Sequence, residues 1–114
     1  MDNRGSDIRT VTIASGQTTS DVIDSRGMSL VALIFSAQPT GTSFSFLGSV
    51  DNVTFYPIKD ASNAAVSVTV SGANLHTLNP VNFLSIPFLK IVSNASESAA
   101  RTITAVIGTY TGDV

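Results

Sequence analysis

The sequence predicts an all-β domain, a two-layer antiparallel sandwich, and three observations carry that prediction. Apolar residues recur with a period of two rather than 3.6: Val11 and Ile13 alternate with Thr10 and Thr12, and Phe44 and Phe46 with Ser43 and Ser45. Clusters of Gly, Pro, Asn, Asp and Ser break the chain roughly every 8–12 residues, the spacing of sandwich strands. No stretch carries helical periodicity. The length of 114 residues suits one domain, and a chain of that size hides roughly 65% of its unfolded surface on folding.

Residues 1–7 read as a polar arm, with residues 8–114 as the sandwich. Thr10–Ile13 is the first strand. After Ser15-Gly16-Gln17, residues Thr18–Ile23 form a short second strand. Asp24-Ser25-Arg26-Gly27 is a turn with glycine where a positive φ costs least. Met28–Phe35 is nearly continuous in apolar residues, which places it centrally or in an interface. Pro39-Thr40-Gly41 turns the chain. Phe44, Phe46, Gly48 and Val50 then share one strand face, with the phenylalanines toward the core. Asp51-Asn52 is a two-residue hairpin connection to Val53–Ile58, because Asp and Asn tolerate positive φ better than most residues. Pro57 lacks an N–H and belongs at an edge or a strand end. Val66, Val68 and Val70 alternate with Ser67 and Thr69. Residues 75–86 are less regular, and Asn79-Pro80 forces a break. Pro87–Ser93 returns to strand, 94–100 is a polar loop, and Ile103, Ala105 and Ile107 alternate in the last strand. The count is eight or nine.

Chemical tools are scarce. The chain has no cysteine and no tryptophan, one histidine (His76) and one glutamate (Glu97), and only 12% of its residues are charged. The absence of cysteine removes disulfides, zinc–thiolate sites and thiol nucleophiles, and fits folding in a reducing cytoplasm. The net charge is −2, and the six cations, from Arg4 to Arg101, are scattered, so nothing neutralises a row of phosphates and direct nucleic-acid binding is not expected. Residues 1–7 lack the apolar region of a secretory signal, and the run Leu30–Phe35 is far short of a membrane helix. Asn52-Val53-Thr54 and Asn94-Ala95-Ser96 match the glycosylation triplet by chance in a chain without that signal.

His76 lacks the G-x-S-x-G context that would build a nucleophile around it. Asp21, Asp24 and Asp51 sit where turns want Asp. Asp51, Asn52 and Asp60 offer at most a weak loop calcium site, and no cofactor is expected. An enzyme is the least favoured class. A mean hydropathy of +0.31 with so few charges implies that part of the surface is covered, by a partner or by copies of the chain itself. The candidate contact residues are Asp2, Asn3, Arg4 and Asp7 of the arm, and the aromatics Tyr56 and Tyr110, for both of which packing within a sheet is the favoured reading.

The segment FSFLGSVDNVTFYPI (residues 44–58) carries a pattern F-x-x-S-x-D-[GN]-x-[TF]-[FWY]-x-x-[IV] through Phe46, Ser49, Asp51, Asn52, Thr54, Phe55 and Ile58, with Tyr56 beside it. With LKIVSNASESAARTITAVIGTY and the opening VTIASGQTTSDVIDSRGMSLVALIF, it resembles small β-sandwich virion proteins of tailed bacteriophages, over about Val11 to Tyr110. Asp51-Asn52 stands where that group often has Asp-Gly. The resemblance implies a jelly-roll-like antiparallel sandwich of about eight strands and a virion structural role. The preferred form is a capsid cement (decoration) protein on the outer capsid surface, assembled in the host cytoplasm. Its partners would be the major capsid protein and copies of itself, as a trimer, with no membrane contact. The alternatives are a tail or head-fibre accessory domain and a carbohydrate-binding module. The likeness implies no catalytic residues.

Overall fold

The computed structural model describes residues 6–108. Among these residues nine strands run in chain order: β1 Ser6–Ile13, β2 Ile23–Asp24, β3 Ser29–Phe35, β4 Ser43–Ser49, β5 Tyr56–Pro57, β6 Ser67–Thr69, β7 Leu75–Thr77, β8 Phe88–Ser93 and β9 Arg101–Gly108. One sheet has the order β1-β9-β3-β7, and the other β2-β8-β4-β5, with β6 also on β4. All pairings are antiparallel.

β5 and β6 are two halves of one edge strand. β5 pairs with Leu47 and Gly48, β6 with Ser43 to Ser45, and the Ile58 amide donates to the Phe46 carbonyl between them at 3.0 Å. Residues 59–65 loop out where the halves part, closed by a bridge from Lys59 to Ala65. Counted so, eight strands pair first with last, second with seventh, third with sixth and fourth with fifth. That is a long antiparallel hairpin rolled into two layers, the jelly roll.

The core lies between the sheets. Leu30, Leu33, Phe35, Ile103 and Ile107 enter from one side, and Ile23, Phe44, Phe46, Leu89 and Ile91 from the other, all buried. Each such side chain contributes roughly 1.5–3 kcal/mol through burial. Phe35 and Phe44 meet across the layers with ring centroids 5.0 Å apart. A 3-10 turn, Pro80–Phe83, capped by the Asn79 side chain, drops Phe83 edge-on against Phe46 at 5.1 Å.

Several expectations change. β1 starts at Ser6, so Asp7 lies in a strand rather than an arm, held by pairing with Ile107 of β9. Asp2, Asn3, Arg4 and Tyr110 lie outside the described residues. The expected strand Thr18–Ile23 is two bridges at Thr19 and Ser20 followed by the short β2. Asn52 does take positive φ, at 61°, yet the hairpin connection is not two residues, because pairing resumes only at Tyr56. Val50 is 83% exposed rather than in the core. β4 ends at Ser49, whose hydroxyl accepts the Asp51 and Asn52 amides and stops the alternation. The irregular stretch 75–86 contains β7 and the 3-10 turn. The apolar run at β3 does lie centrally, and a bulge between Leu30 and Ala32 shifts which parity faces inward.

Candidate functional site

An open groove of about 490 Å³ lies beside the β4–β5 connection, lined by Val50, Asp51, Thr54, Tyr56, Ile58 and Ile86 among others. Its floor is apolar. Ile58 is buried under it, and Gly48 leaves room there, since a Cβ at that position would meet Ile86 at 3.1 Å and Ile58 at 3.2 Å. Its rim is apolar and exposed: Tyr56 stands 66% accessible, and Val53, two residues from the lining Asp51, is 79% accessible. Leu84, two residues before Ile86, is also exposed.

The rim is shaped by Asp51. Its Oδ1 accepts the Val53 amide at 2.9 Å, the Thr54 amide at 3.0 Å and the Ser49 hydroxyl at 2.9 Å. The Thr54 and Val53 amides, then Ser49, hold its carboxyl below the usual carboxylate range. Across β4 and β8, Lys90 sets its Nζ over the Phe55 ring at 4.4 Å, which fixes the residue before Tyr56. The loop chemistry therefore presents Tyr56 from an ordered connection.

The carboxylates elsewhere among the described residues are also committed to structure. Glu97 is fully buried, although its residue type almost never is unless paired. Its carboxylate accepts from the Thr40 amide at 2.8 Å, the Gly41 amide at 2.9 Å, the Ser93 hydroxyl at 2.8 Å and Arg101 Nε at 2.9 Å. Burial pushes its pKa up, but the Gly41 and Thr40 amides, Ser93 and Arg101 together outweigh that and hold it below the usual range. Its backbone adds bonds to Gly16 and Gln17. One residue thus ties three loops at one end of the sandwich. The sequence marks Glu97 as the sole glutamate and assigns it no role; its isolation in a polar loop is the one signal it offers.

Asp60, a member of the calcium candidate, uses Oδ1 for the Ser62 and Ala64 amides, so Asp51 and Asp60 each organise their own turn. No group of three His, Cys, Asp or Glu suited to a metal occurs among the described residues. His76 is edge-on to Phe35 at 5.9 Å in β7, and its buried Nε2 has no hydrogen-bond partner. No hydrogen bond joins it to a serine or aspartate among the described residues. Asp7, the arm candidate, forms an ion pair with Arg9 at 2.7 Å. The hydrogen bond from Arg9, then the Ile8 amide, lower its pKa. Of the six contact candidates, the structure places Tyr56 on the groove and Asp7 on β1, on separate sheets.

No protein-family model matches the chain, and no curated protein does. Solved structures do. The SPBc2 prophage-derived protein YomS matches with a TM-score of 0.57 at 9% identity, over 96% of this chain and 99% of that one. CBM32-1 from a family 31 glycoside hydrolase of Clostridium perfringens matches with a TM-score of 0.58 at 15% identity, over 89% of this chain and 76% of that one. At such identities the likeness shows the β-sandwich fold.

Proposed function

We propose that this chain is a structural protein of a bacteriophage virion, and within that class a capsid cement protein on the outer capsid surface. Its partner is the major capsid protein, and it acts without making or breaking bonds. The observation that carries this reading is the pairing of an ordered, exposed apolar rim (Val50, Val53, Tyr56) with carboxylates, Asp51 and Glu97 among them, already committed to holding loops. Near-full-length likeness of fold to a prophage-derived protein supports the phage context. The mechanism is mechanical. A packed genome pushes the shell outward, and a subunit seated across a seam adds buried area that opening must expose. Apolar area contributes about 25 cal/mol per Å² before association costs are subtracted. Many copies on one shell add multivalency.

Reconstruction of the virion tests the reading: the chain lies over capsomer seams in tens to hundreds of copies, and Tyr56→Ala lowers its occupancy. A few copies confined to the tail or a fibre would replace cement with the accessory-domain reading. A second reading, a carbohydrate-binding module, is favoured by Tyr56 standing exposed on the groove and by the CBM32 neighbour. Saturable sugar binding by calorimetry, abolished by Tyr56→Ala, would establish it instead.

A further inference from the structure

The outer edge of β1 carries an arrangement that the groove does not involve. β1 pairs with β9 on one side only. Its other side is open from Ser6 to Thr10 among the described residues. Beyond that, residue 21 closes it: the Asp21 amide donates to the Thr12 carbonyl at 3.3 Å, and the Thr12 amide donates to Asp21 Oδ2 at 3.2 Å. Backbone groups alternate in direction along an antiparallel strand, so Thr12 sets the parity, and Ser6, Ile8 and Thr10 turn their N–H and C=O outward. Ile8 is the midpoint of the open stretch, with 58% of its surface exposed. Its amide donates to Asp7 Oδ1 at 2.8 Å, and its carbonyl accepts from Arg9 Nη1 at 3.1 Å. The same Arg9 nitrogen donates to Asp7 Oδ2 at 2.7 Å. The two flanking side chains fold back and occupy the edge groups of the residue between them.

That stretch is self-complementary about Ile8. With a second copy of the strand laid antiparallel and Ile8 opposite Ile8, Asp7 faces Arg9 of the partner subunit, and Arg9 faces Asp7 of the partner subunit. The two Ile8 residues then exchange N–H···O bonds, and Thr10 faces Ser6 of the partner subunit. Each bond that the clip makes within one strand has an equivalent between strands. Directly opposed unlike charges favour such a pair, and like charges oppose it.

We propose that β1 is a pairing surface for a second copy of this chain, joined two-fold about Ile8, with the Asp7–Arg9 clip opening and re-forming across the seam. The two four-stranded sheets then continue as one. In the lone molecule the closed clip blunts an edge that would otherwise pair indiscriminately. The contact is isologous, unlike the threefold contact that the virion resemblance implies, and it stands independently of the cement reading.

Sedimentation of the purified chain up to about 1 mM tests it, since a short strand seam gives weak affinity. The wild-type chain dimerises with rising concentration. Asp7→Arg alone and Arg9→Asp alone oppose like charges at both positions and stay monomeric. Their equimolar mixture restores attraction at both and dimerises roughly tenfold or more tightly than either variant with itself. Ile8→Pro supplies a second probe, because its missing N–H faces outward and leaves the β9 ladder whole; it folds, by circular dichroism, and stays monomeric. A wild-type chain that is monomeric throughout overturns the proposal. So do single variants or Ile8→Pro that dimerise like wild type, or a mixture that stays monomeric.

Discussion

Replacing Glu97 probes how the loops at one end of the sandwich are held. Glu97→Ala removes the acceptor for two backbone amides, one hydroxyl and one guanidinium. Each buried donor left without a partner costs about 1–3 kcal/mol, and breaking a buried ion pair costs about 3–5 kcal/mol. These terms overlap, and Arg101 is 22% exposed, so solvent takes back part of the loss. The lower end applies: about 3 kcal/mol, a large share of the 5–15 kcal/mol that holds an ordinary domain folded. Glu97→Gln keeps the volume but sets an amide N–H₂ against donors, and costs about 2 kcal/mol. The pH dependence follows from the lowered pKa. The folded chain binds fewer protons at this group than the unfolded chain does. Its contribution is therefore complete above the ordinary value of 4.5 and is lost as pH falls through the lower folded value. Urea unfolding from about pH 7 to about pH 3 measures both effects. The wild-type midpoint falls with acid, and Glu97→Gln flattens that fall. A Glu97→Ala loss under about 1 kcal/mol, with an unchanged acid slope in Glu97→Gln, would refute the account of Glu97 as the tie between these loops.

Two further outcomes concern the same loops and the groove rim. Gly41→Ala places a methyl group against Ser93 Oγ, 2.9 Å from Asn94 Oδ1 and 3.3 Å from Glu97 Oε2, so it destabilises by about 2 kcal/mol in the same urea assay. Asp51→Ala frees the Val53 and Thr54 amides, and hydrogen exchange at both rises while the melting temperature moves little; Asp51→Asn, which keeps an acceptor oxygen, restores much of the protection.

The strand, the turn residues and the edge proline beside the groove were readable in the chain before folding; the groove itself was not. The segment from Phe46 to Ile58 announced a strand and a turn, and Pro57 does lie on an edge strand; Tyr56, for which packing within a sheet is the favoured reading of the sequence, stands exposed instead. The length of the connection was not readable, because the Ser49 hydroxyl could serve either as a strand side chain or as a cap for the next amides. The clip on β1 was hidden for a related reason. Asp7 reads as an arm residue and Arg9 as one of the scattered cations until pairing with β9 turns the Ile8 groups outward between them.

Local pattern was enough to specify a sandwich, and which face of most strands is buried. Side chains alternate across a strand, and turns need particular residues, so both are written in neighbouring positions. Phe44, Phe46, Ile103, Ala105 and Ile107 all lie where that alternation puts them. Which strands pair, where β3 bulges and what Glu97 holds emerge only in the assembled fold. Its donors at Thr40 and Gly41 lie 57 and 56 residues away along the chain. A buried carboxylate is stable only when such distant groups converge on it, and no local pattern records that convergence.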